Sequence, residues 1–301
     1  MNAPAPKTYR LGLIGYPLGH SLSPCLHQAA LKAEGLSGDY SLYAIPVDSH
    51  STAQLAALLQ RLRRGEIHGL NVTIPYKQAV IPLLDELSPA ARAIGAVNTI
   101  YCAHERLVGE NTDAPGLAAD LAHLVKAPGK ALVLGAGGAA RAAVYALTSG
   151  GWQVTVAARR EEQARQLAQD LGAGETGKPV IHPAGLDTAA LRHLAAGSDL
   201  ILNATPVGMF PHTEASPWPP EVPFPAQAAL YDLVYNPAQT QLVRTAQAAG
   251  LKVRGGIGML IEQAALAFER WTGRPAARQA MQRALAGENR PQALPSGSVR
   301  L

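Results

Sequence analysis

Four clusters in this 301-residue chain combine residue types and spacings that could do chemistry. The run Asn71-Val-Thr-Ile-Pro-Tyr-Lys77 sets Asn71 and Thr73 two apart on a predicted strand, where alternate side chains share a face, with a lysine just beyond. A lysine past the carboxyl end of a strand can give a proton to a carbonyl or take one from an alcohol. Read alone, Lys77 also has the plainer alternative of a solvated surface charge. Ser21 and Ser23, in His-Ser-Leu-Ser-Pro, put two hydroxyls at a predicted helix start. There they could hold a carboxylate, or Ser23 could serve as N-cap with Pro24 at the first helical position. Asp113, in Glu-Asn-Thr-Asp113, has the same pair of readings, a reacting carboxylate or an N-cap.

The fourth cluster is Ala131–Arg141, A-L-V-L-G-A-G-G-A-A-R. Lys130–Leu134 reads as a buried parallel strand, Gly135, Gly137 and Ala140 form G-x-G-x-x-A, and Ala139–Leu147 continues as a helix. In that context Gly135 makes the tight turn and Gly137 lets the backbone approach a pyrophosphate at the helix N-terminus. Ala140 allows close helix–strand packing. At the end of the next strand, Gln153–Ala157, an NAD site wants a carboxylate for the ribose 2′-hydroxyl. The chain offers Arg159 and Arg160 instead, which suit a 2′-phosphate and favour NADP, unless Glu161 or Glu162 pairs them off.

The elements that must position these groups alternate. Strands are predicted at 10–15, 41–47, 67–74 and 96–101, with helices at 23–35 and 51–64 and short ones around 77–84 and 89–94. Residues 109–115 read as a hinge into a helix ending near Val125. The strands 130–134 and 153–157 follow, each with its helix, and 172–183 reads as a glycine- and proline-rich connection. Then come a helix at 186–196, strands at 200–203, 229–233 and 252–254, a helix at 240–249, and an irregular loop over 206–225. Apolar helices at 259–272 and 275–285 are expected to return to the first domain, and 287–301 reads as a loose tail. Alternation of this kind means an α/β fold with right-handed crossovers, in two domains.

Composition narrows the function classes. Hydrophobic content is 48%, charged content 16% and formal net charge +4, enough apolar material for cores and too little clustered charge for a nucleic-acid surface. Cys25 and Cys102 form no C-x-x-C, and the nine histidines show no metal-ligand spacing, so no metal is expected. No signal core or long apolar run is present, which points to a cytoplasmic protein without membrane contact.

Seven motifs in order carry a family resemblance: 19–24, 71–77, Gly-Ala-Val-Asn-Thr (95–99), Gly-Glu-Asn-Thr-Asp (109–113), 135–141, Asn-Ala-Thr-Pro-Val-Gly-Met (203–209) and Gly-Met-Leu-Ile-Glu-Gln-Ala-Ala (258–265). The chain resembles the shikimate/quinate dehydrogenase family from about Leu11 to Gly273. The resemblance implies an N-terminal α/β substrate-binding domain (8–112 with 257–286) and a Rossmann-type NADP domain (113–256), acting on shikimate or 3-dehydroshikimate as a monomer or homodimer. It implies Lys77 as general acid/base with Asp113 as partner. Ser21, Ser23 and Tyr235 would lie at the substrate carboxylate, and Asn71, Thr73, Asn98, Asp113 and Gln263 at the ring hydroxyls. Gly135, Ala136, Gly137, Gly138, Ala139, Arg159, Arg160, Thr205, Gly256 and Met259 would contact the cofactor. The family often has Asn-Arg-Thr where this chain has Ala158-Arg159-Arg160, so a second charge replaces a hydroxyl. Its alternatives are a dehydrogenase that also accepts quinate or NAD and, more remotely, a nucleotide-sensing protein without turnover.

Overall fold

The structure, a computed structural model, describes residues 7–172 and 180–288. The chain divides into two compact units, one within 1–88, 97–110 and 264–301, the other within 89–96 and 111–263. In chain order the first elements are β1 (Thr8–Gly15), α1 (Ser23–Ala33), β2 (Ser37–Ala44), α2 (Ser51–Arg63), β3 (Gly69–Val72), α3 (Tyr76–Ala79) and β4 (Glu86–Leu87). The short helix α4 (Pro89–Ile94) belongs to the second unit, and β5 (Thr99–Ala103) and β6 (Arg106–Glu110) return to the first.

The first unit's sheet has the order β2-β1-β3-β5-β6-β4. Its β1–β2 and β1–β3 pairs are parallel, while β3–β5 and β5–β6 are antiparallel. The sheet is therefore mixed, and several of its strands differ from expectation. β2 runs over Ser37–Ala44 rather than 41–47, because Pro46 has no amide for a ladder and the chain leaves α1 through a left-handed Gly35. β5 begins at Thr99 rather than Ala96, and β6 takes part of the expected hinge. The β5–β6 hairpin has no local sequence signal, because its turn residues, His104 and Glu105, take φ of 50° and 63° without the usual glycine or asparagine.

The second unit contains α5 (Asp113–Leu121), β7 (Lys130–Leu134), α6 (Gly138–Ser149), β8 (Gln153–Ala158), α7 (Glu161–Gly172), β9 (Ile181–Gly185), α8 (Thr188–Ala196), β10 (Leu200–Asn203), β11 (Ala229–Asp232), α9 (Gln241–Ala248) and β12 (Lys252–Gly255). Its six strands lie all parallel in the order β12-β11-β10-β7-β8-β9. Numbered from β7, this is the 3-2-1-4-5-6 order of a doubly wound dinucleotide fold, with its topological switch between β7 and β10. Alternate strand residues supply two cores. Val133, Val154, Val156, Leu202 and Tyr231 pack on one face, and Leu132, Leu134, Ile201 and Leu230 on the other. That two-sided burial explains the continuous apolar runs.

Strand β9 falls partly on the expected 172–183 connection, of which 173–179 lie outside the described residues. Pro183 hid it, and the strand tolerates the proline because it sits at the sheet edge. α5 ends at Leu121, short of Val125. The last helices are α10 (Ile257–Thr272) and α11 (Arg278–Arg283), the latter followed by a π-helical turn at Ala284–Glu288. α10 spans the division between the units; residues from Ala264 onward group with the first, where α11 packs on α1. Trp271 lies face-on against Gly69 of β3, and its indole N–H donates to Ile100 O at 3.1 Å. Of the tail expected over 287–301, residues 289–301 lie outside the described ones. Among the described residues, no helix is long and apolar enough to cross a membrane.

Candidate active site

In the first unit, β3 delivers Asn71 to a set of buried partners. Tyr40 Oη donates to Asn71 Oδ1 at 2.8 Å, while Asn71 Nδ2 donates to Asn98 O at 3.1 Å and Thr99 Oγ1 at 3.2 Å. Thr99 Oγ1 in turn donates to Asn98 Oδ1 at 3.1 Å. Asn71 and Asn98, both expected at the site, thus share one rigid network on β3 and the start of β5. Thr99 follows Asn98 in its motif, whereas nothing in the spacing marked Tyr40.

Strand β3 ends at Val72, short of the expected Ile74. Thr73 nevertheless keeps its amide on Ile14 O at 2.8 Å, so it stays in line with β1. Its carbonyl accepts from Tyr76 N at 2.9 Å and starts the turn that carries Lys77. Tyr76 is the anchor of that turn: its side chain is buried and its hydroxyl is held by Ile45 O at 2.7 Å and Pro46 O at 3.0 Å. Burial pushes the Tyr76 phenol up from its ordinary value, so it stays a neutral donor. Lys77 is half-buried, and its carbonyl accepts from Val97 N at 2.7 Å, tying α3 to the Asn98 segment.

Ser23 is not an N-cap. The cap of α1 is Leu22, no side chain caps it, and Ser23 is the first helical residue. Ser21 Oγ accepts from Ser23 N at 3.3 Å, so the upstream hydroxyl takes the turn-forming role while Ser23 is buried. Asp113 likewise does not cap α5. Asn111 Oδ1 does that work, accepting from Asp113 N at 3.1 Å and Ala114 N at 3.2 Å. The capping alternative for Asp113 is thereby removed, and a buried carboxylate remains at the first turn of α5.

In the second unit the glycine loop has the expected form. Gly135 has φ of 104°, and its amide donates to Ala157 O at 2.8 Å. A Cβ there would come within 3.0 Å of Thr205 Cγ2. Ala136 is half-buried against the core, and Gly137 is the cap residue of α6, with no side chain capping the helix. A Cβ on Gly137 would meet nothing within 4 Å, so there is open space at the N-terminus of this 12-residue helix, whose first amides no side chain caps. That is the donor set a pyrophosphate needs. Ala140 is fully buried, as close packing requires.

Arg159 and Arg160 are exposed just after β8. Glu161 does not neutralise them, since its carboxylate pairs with Arg165 at 2.7 Å. No carboxylate ends β8, so a 2′-phosphate fits here better than a free 2′-hydroxyl. Thr205 is fixed from beneath. Asn203 Oδ1 accepts from Thr205 N at 3.0 Å and Oγ1 at 2.7 Å, and Asn203 Nδ2 donates to Asp232 Oδ1 at 2.8 Å. Thr240 Oγ1 donates to Asp232 Oδ2 at 2.6 Å. Burial pushes the Asp232 carboxyl up, while these donors pull it down less strongly. Only the tertiary fold reveals this supporting layer, although Asn203 opens one of the seven motifs.

Tyr235 follows β11 and is half-buried, with its phenol pushed up by burial. Gly256 just precedes α10, Met259 lies in its first turn and Gln263 near its middle. Gly256 is buried against Leu233 O, Met259 joins the core of Leu117 and Tyr231, and Gln263 Nε2 donates to Leu260 O at 2.9 Å. Arg141, in the glycine-loop motif, is a structural residue that nothing in the local sequence marks. Its buried guanidinium reaches Ile94 O and Asp170 Oδ2, the latter at 2.8 Å, and leaves room only for glycine at position 95, where φ is 67°.

Two family models match this chain, the shikimate dehydrogenase substrate binding domain over residues 13–100 and the shikimate 5′-dehydrogenase C-terminal domain over 256–286. A shikimate dehydrogenase (NADP(+)) of Salinibacter ruber is 43% identical over 89% of this chain and 93% of its own length. Among solved structures, shikimate 5-dehydrogenase of Thermus thermophilus in complex with NADP(H) and shikimate superposes with a TM-score of 0.80. It is 40% identical over 92% of this chain and 98% of that one. Quinate dehydrogenase of Corynebacterium glutamicum in complex with NAD superposes at 0.82, with 32% identity over 92% and 98%.

Proposed function

Because this chain belongs to the shikimate dehydrogenase family, we propose how its residues divide the work of an NADP-dependent shikimate dehydrogenase. The protein is an oxidoreductase that reversibly reduces 3-dehydroshikimate to shikimate with NADPH, a step of aromatic amino acid biosynthesis. NADPH supplies the hydride to the C3 carbonyl when bound. Lys77 gives the proton to the developing alkoxide, or takes it back in the oxidative direction, with Asp113 as its carboxylate partner. A placed acid/base of this kind contributes about 10²–10⁴ in rate.

Ser21, Ser23 and Tyr235 hold the substrate carboxylate; Asn71, Thr73, Asn98, Asp113 and Gln263 hold the ring hydroxyls. The amides of Gly135–Ala139 with Thr205 take the pyrophosphate, Arg159 and Arg160 the 2′-phosphate, and Gly256 and Met259 border the nicotinamide. Residues 8–112 with 257–286 form the substrate part and 113–256 the NADP part, in a cytoplasmic monomer or homodimer. The observation that carries this reading is the uncapped, glycine-opened N-terminus of α6 together with a β8 that is followed by arginines rather than closed by a carboxylate.

The test is initial rates with shikimate and quinate, each with NADP and NAD. A large preference for shikimate with NADP is expected. Comparable quinate turnover would move the protein to the broader branch, and a preference for NAD would reduce Arg159 and Arg160 to surface charges.

A further inference from the structure

Helix α5 carries two carboxylates seven residues apart, Asp113 and Asp120, which places them about two turns, or ~10 Å, apart on one side. Asp113 has a place in the reaction proposed above; Asp120 has none. Yet Asp120 is buried at 3% exposure and holds three donors: Tyr231 Oη at 2.7 Å, Arg254 Nε at 2.7 Å and Arg254 Nη2 at 2.6 Å. The two arginine bonds make a bidentate fork, the geometry in which this ion pair is most directional. Tyr231 also faces the backbone of Met259, and Asp120 lies directly against Gly258, where a Cβ would collide with the carboxylate. At the next contact along the pair, Gly116 of α5 backs onto Gln263, where a Cβ would be 2.9 Å from the amide nitrogen and 3.0 Å from Cβ. Asp120 follows Gly116 while Gly258 precedes Gln263, so α5 and α10 run antiparallel in close contact through two glycines.

We propose that Asp120, clamped by Arg254 and Tyr231, is a positioning residue that sets the first turn of α10, and with it Gly256 and Met259, against the nicotinamide end of the cofactor. The inference rests on the cofactor reading given above. Three elements meet on this carboxylate: α5 presents it, β11 supplies Tyr231, and β12 supplies Arg254 two residues before Gly256. The negative charge beside the α10 N-terminus is also favoured by the helix dipole. Arg254 is a fork here and cannot be replaced by a point charge without loss of direction.

The experiment compares Arg254→Gln and Tyr231→Phe with the unaltered protein, measuring Kd for NADPH and for adenosine 2′,5′-bisphosphate, kcat, and Tm. The bisphosphate carries the adenosine half and lacks the nicotinamide. For Arg254→Gln the expected result is NADPH affinity and kcat each reduced about tenfold, with bisphosphate affinity within about twofold of the parent. Tyr231→Phe, which removes one oxygen, should move NADPH in the same direction by less, and Arg254→Lys should recover only part of the loss. Equal weakening of both ligands, or no change in either while Tm falls, would overturn the positioning role and leave a purely structural cluster. A parent protein that fails to reduce 3-dehydroshikimate with NADPH would instead overturn the cofactor and substrate reading itself.

Discussion

Lys77 is one half-buried amine on a four-residue helix, and the proposed chemistry depends on it more than on any fold-level feature. Replacing it with alanine should lower kcat by about 10²–10⁴ while leaving the thermal midpoint nearly unchanged, since Tyr76, which anchors this turn, stays in place. Near-normal turnover in that variant would remove Lys77 from the mechanism. Arg159→Ala should raise the KM for NADPH on the order of ten- to a hundredfold, the value of a charge-assisted contact, and leave the KM for NAD unaltered. Equal effects on both cofactors would exclude the 2′-phosphate assignment.

His27 gives a pH signature at the same scale. It is fully buried, stacked on Tyr40 at 4.5 Å and tilted against Trp271 at 5.2 Å. Burial drives its pKa down to about 3, against a weaker upward pull from Asn71. The unfolded chain then binds a proton below about pH 6.5 that the folded chain refuses, so stability is full above that value and declines as pH falls toward 3. The slope for this one group approaches ~1.4 kcal/mol per pH unit. His27→Phe, which keeps the aromatic contacts, should flatten the denaturation midpoint between pH 6.5 and 5. An unchanged slope would assign the acid sensitivity elsewhere.

Elements add constraints that single residues do not show. In β3 a residue with no side chain, Gly69, accepts the face of Trp271 from the far end of α10, a contact between positions 202 apart in the chain. Gly69→Ala would place a methyl group inside the indole, and overpacking of this kind costs about 1–3 kcal/mol or more, readable as a lowered urea midpoint. The variant should lose stability without a selective change in NADPH affinity, because the contact lies within the first unit whereas α6 and β8 belong to the second. The parallel strands β7, β8 and β10 were legible because two-sided burial leaves continuous apolar runs, and β10 was placed at its observed bounds. β4, β6 and β9 were not: a two-residue strand, a hairpin turned by His104-Glu105, and an edge strand carrying Pro183 all lack the local signal.

For the molecule as a whole, binding should register as stability. At NADPH concentrations near 100 times its Kd, the nucleotide should stabilise the folded state by about 2.7 kcal/mol, an increase in Tm of several degrees, and NAD at the same concentration should give less. An equal shift with both would argue against selective recognition by Arg159 and Arg160. The second unit's strand order and its uncapped α6 are the features that couple this stabilisation to the glycine loop.

The linear order of residues determined the chemistry on offer and the motifs that carry it: a lysine after Asn71 and Thr73, a glycine loop between strand and helix, arginines where a carboxylate would mark NAD. Local rules suffice there, since strand alternation, helix termini and glycine geometry act over a few residues. The folded chain decided the capping and pairing readings through contacts only two to four residues apart. Ser23 and Asp113 lost their capping role because Ser21 and Asn111 sit at the right distance, and Glu161 turned to Arg165 rather than to Arg159 or Arg160. Tertiary structure assembled the supporting layers around Asn71, Thr205 and Asp120, whose most widely separated hydrogen-bonded pairs lie 31, 29 and 134 positions apart in the chain. Hydrogen bonds across such separations have no sequence period. They exist only once burial removes water and each polar group must find its partner within the fold.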